Sequence, residues 1–129
     1  MYYHVWFSTK YRKPLLTGEL NIFVKETVGE CIIRHRYEVF EFNTDKDHMH
    51  LLVAAEDKAK LSAIIRTIKA VSAKEVFSPR FRVGNVLNDA PCGSMGKRHL
   101  WARRYDYKMI PVRVLGEVRE YIRRQSKCA

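Results

Sequence analysis

The stretch Asp47-His48-Met49-His50-Leu51-Leu52-Val53 decides the architecture. A β-strand sends successive side chains to opposite faces, so His48 and His50 share one face, roughly 6 to 7 Å apart along the chain. Met49, Leu51 and Val53 share the other face. These are the better core residues, which turns both histidines away from the core. A slip of one residue would bury both imidazoles, so the register is strongly specified. Two imidazoles on one strand face can converge on a single metal ion. A pair of surface or packed histidines is the ordinary alternative.

Upstream, Tyr37 to Phe42 alternates, with Tyr37, Val39 and Glu41 on one face and Glu38, Phe40 and Phe42 on the other. It reads as a strand. Asn43-Thr44-Asp45-Lys46-Asp47 is rich in turn formers and joins it to the histidine strand as a hairpin. From Leu20 to His35 the apolar residues Leu20, Phe23, Val24, Val28, Cys31 and Ile32 form a helical stripe, with Thr17 as a candidate cap. Tyr3 to Thr9 is aromatic and β-branched and reads as the first strand. Downstream of Glu56-Asp57, the positions Leu61, Ile64, Ile65, Ile68 and Val71 predict a second helix. Ser78 to Lys97 carries Pro79, Gly84, Pro91 and Gly93 and reads as a loop. His99 to Ile110 is extended again, ended by Pro111. A last helix is expected from Leu115 to Gln125, with Leu115, Val118 and Ile122 as its stripe.

The order is β-α-β-β-α-β plus a terminal helix. That predicts an α+β chain with a ferredoxin-like antiparallel sheet, similar to RNA-recognition domains, with two helices on one face. The first strand and the histidine strand become the central pair, and the opposite face is left for a site. At 129 residues, one domain spanning 1–129 is expected.

The composition, 47% hydrophobic and 29% charged, is that of an ordinary globular protein. No apolar run approaches a membrane span. The N-terminal segment has no basic flank before its apolar stretch, so no signal peptide is expected. Cys31, Cys92 and Cys128 have neither zinc-motif nor redox-pair spacing, which suits free thiols in a reducing cytoplasm. The net charge is +10. Lys97 to Ala129 holds ten Lys/Arg against three Asp/Glu, and the first 96 residues hold 14 against 11. This skew favours a polyanionic partner, nucleic acid above all. Lys10-Tyr11-Arg12 suits a single strand, with cations for phosphates and Tyr11 to stack on a base. Arg66, Lys69 and Lys74 on the second helix, and Arg103 beyond it, are further candidates for DNA contacts.

On the last helix, Tyr121 and Gln125 lie one turn apart on the flank of the apolar stripe. Here the pieces resemble a family. Asp47-His48-Met49-His50-Leu51-Leu52 is similar to the His-hydrophobic-His (HUH) motif of the small single-tyrosine transposases of the insertion-sequence 200/605 type. Tyr121-Ile122-Arg123-Arg124-Gln125 resembles that family's Tyr-Ile-x-x-Gln segment. Tyr3-His4-Val5-Trp6-Phe7-Ser8-Thr9-Lys10-Tyr11-Arg12 and Leu100-Trp101 ahead of Tyr105 also match, and the motifs keep the family's order along nearly the whole chain.

The resemblance implies that Tyr121 is the nucleophile on a phosphodiester of single-stranded DNA, giving a 5′-phosphotyrosine and a free 3′ hydroxyl. It implies that His48, His50 and Gln125 hold a divalent metal, Mg²⁺ or Mn²⁺. It also implies partners: hairpins at the ends of an insertion sequence, and a second copy of the chain, in a homodimer whose tyrosine helix acts in trans. The link before that helix, Pro111-Val112-Arg113-Val114-Leu115-Gly116, has one glycine where the family has several. Two other readings use the same surface: a ferredoxin-like module that binds hairpins without chemistry, and a hydrolytic metal-dependent nuclease. Only the histidine pair, Tyr121 and Gln125 separate the transposase from the binding module.

Overall fold

The structure is a computed structural model and describes residues 1–78 and 99–125. Four strands, β1 (Tyr2–Ser8), β2 (Val39–Thr44), β3 (His48–Ala54) and β4 (Asp106–Ile110), form an antiparallel sheet in the order β2-β3-β1-β4. Helices α1 (Gly18–His35) and α2 (Lys58–Val76) follow β1 and β3, and α3 (Leu115–Arg123) closes the described chain. This is the expected α+β arrangement, with β1 and β3 at the centre.

The alternation of β1 and β3 builds the main core. Tyr3, Val5 and Phe7 lie beside Met49, Leu51 and Val53, all buried against Leu20, Val24 and Val28 of α1 and Leu61, Ile65 and Ile68 of α2. Asp57 begins α2 by accepting from the Lys60 amide at 2.8 Å, which satisfies one of the free N–H groups of the first turn. Thr17 occupies the corresponding position of α1 without a side-chain cap.

Three expectations are corrected. The second strand runs Val39–Thr44 rather than Tyr37–Phe42, so Asn43 and Thr44 belong to the sheet and the turn shortens to Asp45-Lys46-Asp47. A register irregularity between Val39 and Glu41 puts Val39 opposite Val53 on the core face and Glu41 opposite Leu52 on the other. An extra residue in one strand shifts the alternation beyond it, so Val39 and Glu41 cannot share a face. The extended region 99–110 is a strand only over Asp106–Ile110; before it, Trp101 makes an isolated bridge to Thr9 and donates its indole N–H to Ser72 at 2.8 Å. Most of the expected loop, including the stretch from Asn85 to Gly96, lies outside the described residues.

The second face of the sheet is not left open. A short 3₁₀ turn at Val112–Val114 leads into α3, which lies across this face. Ile122 is fully buried against Leu52 and Ile110, with Tyr2, Val114, Leu115 and Val118 around them.

Candidate active site beneath the terminal helix

His48 and His50 lie on the α3 face, as the register required, with ring centroids 6.2 Å apart. His50 is 7% exposed and His48 is partly exposed. His50 is more buried than an open sheet face allows, because α3 and β1 enclose it. The Nδ1 of His48 lies 2.6 Å from an oxygen of Asp47 and 3.6 Å from one of Asp45. The Nε2 of His50 is 3.4 Å from the other oxygen of Asp45, and its Nδ1 is 3.4 Å from Nε2 of His4. Burial pushes the pKa of His50 down, against the opposing pull of Asp45. Burial, then His50 and Lys108, push His4 down to about 4. Asp45 is raised by burial but more strongly lowered by hydrogen bonds, which include those from the backbone amides of Asp47 and His48, and it stays ionised.

Tyr121 comes to these imidazoles edge-on. Its ring centroid is 6.1 Å from that of His50, at 88°, and 5.7 Å from that of His4. It remains 46% exposed, so a substrate can reach it. Two features of β2 seat its helix. The buried Asn43 amide donates to the carbonyls of Ile122 (3.1 Å) and Arg123 (2.8 Å), capping the end of α3. The Asn43 oxygen accepts from Lys25 Nζ and from the Thr44 amide, both at 2.9 Å, which fixes which way the amide points. Glu41 pairs with both Arg119 and Arg123 at 3.1 Å. Gln125 sits one turn beyond Tyr121, its amide nitrogen donating to the Tyr121 carbonyl at 3.1 Å. Its amide oxygen is therefore free of that bond.

The donor set fits a divalent ion. Two imidazoles and a pair of carboxylates, nitrogen and oxygen donors on one face, suit a divalent ion. Asp45, Asp47 and His48 alone place three such donor atoms within 4.8 Å of one another. The fold adds His4, Asp45 and Asn43 to the expected His48, His50 and Tyr121, while Gln125 contacts the Tyr121 carbonyl. His4 was legible from the period of β1, because it falls on the same face as Trp6 and, across the pair, His50. Asp45 and Asn43 read in the sequence as turn formers.

The basic residues separate into distinct environments. Arg12 lines a cleft of about 140 Å³ beside His48, together with Arg104, Tyr105 and Asp106. Tyr11 is 72% exposed, with Lys10 Nζ 5.4 Å from its ring centre. Tyr11 and Arg12 both have positive φ, 59° and 54°, a conformation L residues adopt only when the surroundings hold them there. Arg66, Lys69 and Arg103 line a larger cavity of about 470 Å³ between α2 and the 99–105 segment. The Lys69 ammonium donates to the Ala102 carbonyl at 2.7 Å and, more loosely, to those of Arg103 and Arg104, and burial pushes its pKa down. It ties the segment to α2. Lys74 is exposed on α2. Among the described residues no helix is long and apolar enough to cross a membrane.

Residues 1–125 match the model of the family described as "Transposase IS200 like". The ISDra2 transposase TnpA of Deinococcus radiodurans is 27% identical over 96 residues, covering 70% of this chain and 69% of that protein. A crystal structure from Deinococcus radiodurans R1, assigned to the transposases, superposes with a TM-score of 0.64 at 20% identity, covering 98% of this chain and 91% of that one. The REP-associated tyrosine transposase bound to a REP hairpin gives a TM-score of 0.63 at 13% identity, over 95% of this chain and 64% of that one. At those identities the two structures establish likeness of fold. With the family match running from the first strand through Gln125, the chain belongs to the IS200-like transposases.

Proposed function

We propose that this transposase cleaves and rejoins single-stranded DNA through a covalent bond between Tyr121 and a 5′ phosphate. The observation that carries this is the seat of Tyr121: a half-exposed phenol held edge-on over His50 and His4 by a helix capped by Asn43. A binding module has no need for such a convergence.

The phenol must lose its proton to attack. Phenols in water have pKa values near 10 and are only about 0.1% ionised at pH 7, so a group that takes the proton or stabilises the phenolate is needed. Attack forms the Tyr121 oxygen–phosphorus bond and breaks the bond from phosphorus to the 3′ oxygen, which leaves as a hydroxyl once protonated. Because a phenolate is also a tolerable leaving group, that hydroxyl can reverse the step at a new junction. His48 and His50, with Gln125, would hold the divalent metal, Mg²⁺ or Mn²⁺, whose chemistry is to neutralise charge on the scissile phosphate and orient it. Arg12 and Arg104 lie beside His48, where a phosphate backbone would pass.

The DNA partner is a single strand carrying hairpins at the ends of the element, a reading supported by the hairpin in the REP-associated relative. In the chain as described, α3 is seated on its own sheet. A homodimer that exchanges tyrosine helices would remake the Glu41 and Asn43 contacts with the partner's helix.

Incubation with single-stranded DNA containing an end hairpin and Mn²⁺ tests the proposal. A covalent protein–DNA adduct that is absent from Tyr121→Phe supports it. Cleavage that persists in Tyr121→Phe would point to a hydrolytic nuclease, and hairpin binding without cleavage under any metal would point to a binding module.

A further inference from the structure

The environment of His50 contains a residue that its strand motif does not include. His4, in the middle of β1, approaches His50 Nδ1 with its Nε2 at 3.4 Å. The His4 ring is held on two sides, by Trp6 with centroids 4.9 Å apart and by Tyr121 at 5.7 Å. Its approach to His50 is thus set by packing. On the far side of the His50 ring, Nε2 faces an Asp45 oxygen at 3.4 Å.

A neutral imidazole has one N–H and one lone pair, so His50 can donate to only one of these two neighbours. If it donates to Asp45, the nitrogen facing the cluster of carboxylates is protonated and cannot bind a cation. If it donates to His4, the Nε2 lone pair faces a carboxylate oxygen, an opposition of two acceptors that favours a cation between or beside them. His48 differs, because the carboxylates lie on its Nδ1 side. Its Nδ1 is held by Asp47 at 2.6 Å, which leaves Nε2 as the free nitrogen.

We propose that His4 is a positioning residue that accepts the Nδ1–H of His50 and so keeps Nε2 of His50 available to a divalent cation. This rests on the reading of His50 as a metal ligand. A histidine suits the task because it offers an uncharged acceptor in a half-buried place next to Lys108, which is opposite it on β4. A lysine or arginine there could not accept at all. The partner of a ligating imidazole's other nitrogen fixes both its tautomer and its orientation.

The test combines two measurements on the full chain: Mn²⁺ titration followed by the EPR signal of free Mn²⁺, and ¹⁵N NMR of the histidine side chains with Mg²⁺ bound. The wild type should show the His50 proton on Nδ1. His4→Phe, which keeps the ring shape but not the acceptor, should move that proton to Nε2 and weaken Mn²⁺ binding by about 10- to 100-fold. His4→Gln, whose side-chain carbonyl can accept, should recover part of the affinity. Mn²⁺ binding in His4→Phe as tight as in the wild type would overturn the proposal. So would a His50 proton on Nε2 in the Mg²⁺-loaded wild type, a result that does not depend on any variant folding. His50→Ala separates the two readings. If it binds Mn²⁺ like the wild type, the metal reading fails and this inference with it. If it alone loses Mn²⁺ while His4→Phe does not, only the role of His4 is overturned.

Discussion

At the scale of single residues, His4 and His50 are imidazoles placed where protonation is costly. Both have pKa values pushed below the ordinary 6.5, His4 to about 4, chiefly by burial. The unfolded chain therefore takes up protons before the folded one does. Stability from this source is complete above about pH 6.5 and is lost as the pH falls toward 4. Thermal melts with chelator present should show a falling midpoint over that window, and His4→Phe should flatten the fall. Equal slopes in the two proteins would show that His4 is not the group responsible. A division of labour is also expected among the residues of the site. His48→Ala should abolish cleavage yet leave hairpin affinity, read by gel shift, largely intact, because the imidazole is engaged by the Asp45 and Asp47 carboxylates while the neighbouring arginines supply the cations for phosphates. A large loss of binding would contradict that division.

At the scale of elements, the terminal helix decides whether Tyr121 is in place. The seat of α3 rests on Ile122, fully buried against Leu52 and Ile110, and on the Asn43 amide. Truncating a buried isoleucine costs about 2 to 5 kcal/mol. Removing the Asn43 donors leaves two helix carbonyls without their partner, at a cost of about 1 to 3 kcal/mol. In Ile122→Ala and Asn43→Ala, hydrogen exchange should accelerate across α3 while β1 and β3 stay protected, and adduct formation should fall with it. Uniform acceleration over the sheet would mean the helix is not a separable unit. This seat is also where the sequence was least informative. The helical stripes of α1 and α2 and the alternation of β1 and β3 are local patterns, and they were legible residue by residue. Asn43 looked like a turn former because its side chain often bonds locally. Its actual partners, Ile122 and Arg123, lie at the far end of the chain. Asp45 was similarly hidden, since nothing in its neighbours shows that a hairpin will fold its carboxylate onto His50. The irregularity at Val39–Glu41 also leaves no periodic trace, yet it turns Glu41 toward Arg119 and Arg123.

At the scale of the whole molecule, a net charge of +10 makes the approach to DNA electrostatic and salt-sensitive. Each phosphate contact to a single strand adds about 0.7 to the slope of log affinity against log salt. Arg12→Ala should lower that slope, because Arg12 lines the cleft beside His48. Lys69→Ala should leave it unchanged and lower the melting temperature instead, because its ammonium is engaged by the carbonyls of the 102–104 segment. A lower slope for Lys69→Ala would place it among the DNA contacts instead. On the proposed reading, the sheet's histidines and the helix's tyrosine form one catalytic unit. This reading is tested most directly by denaturing gel and mass spectrometry of the protein after reaction with hairpin-bearing single-stranded DNA and Mn²⁺. The expected product is a DNA fragment joined through its 5′ phosphate to Tyr121, absent in Tyr121→Phe and in His50→Ala. Cleavage without attachment to Tyr121, or attachment that survives in His50→Ala, would contradict it.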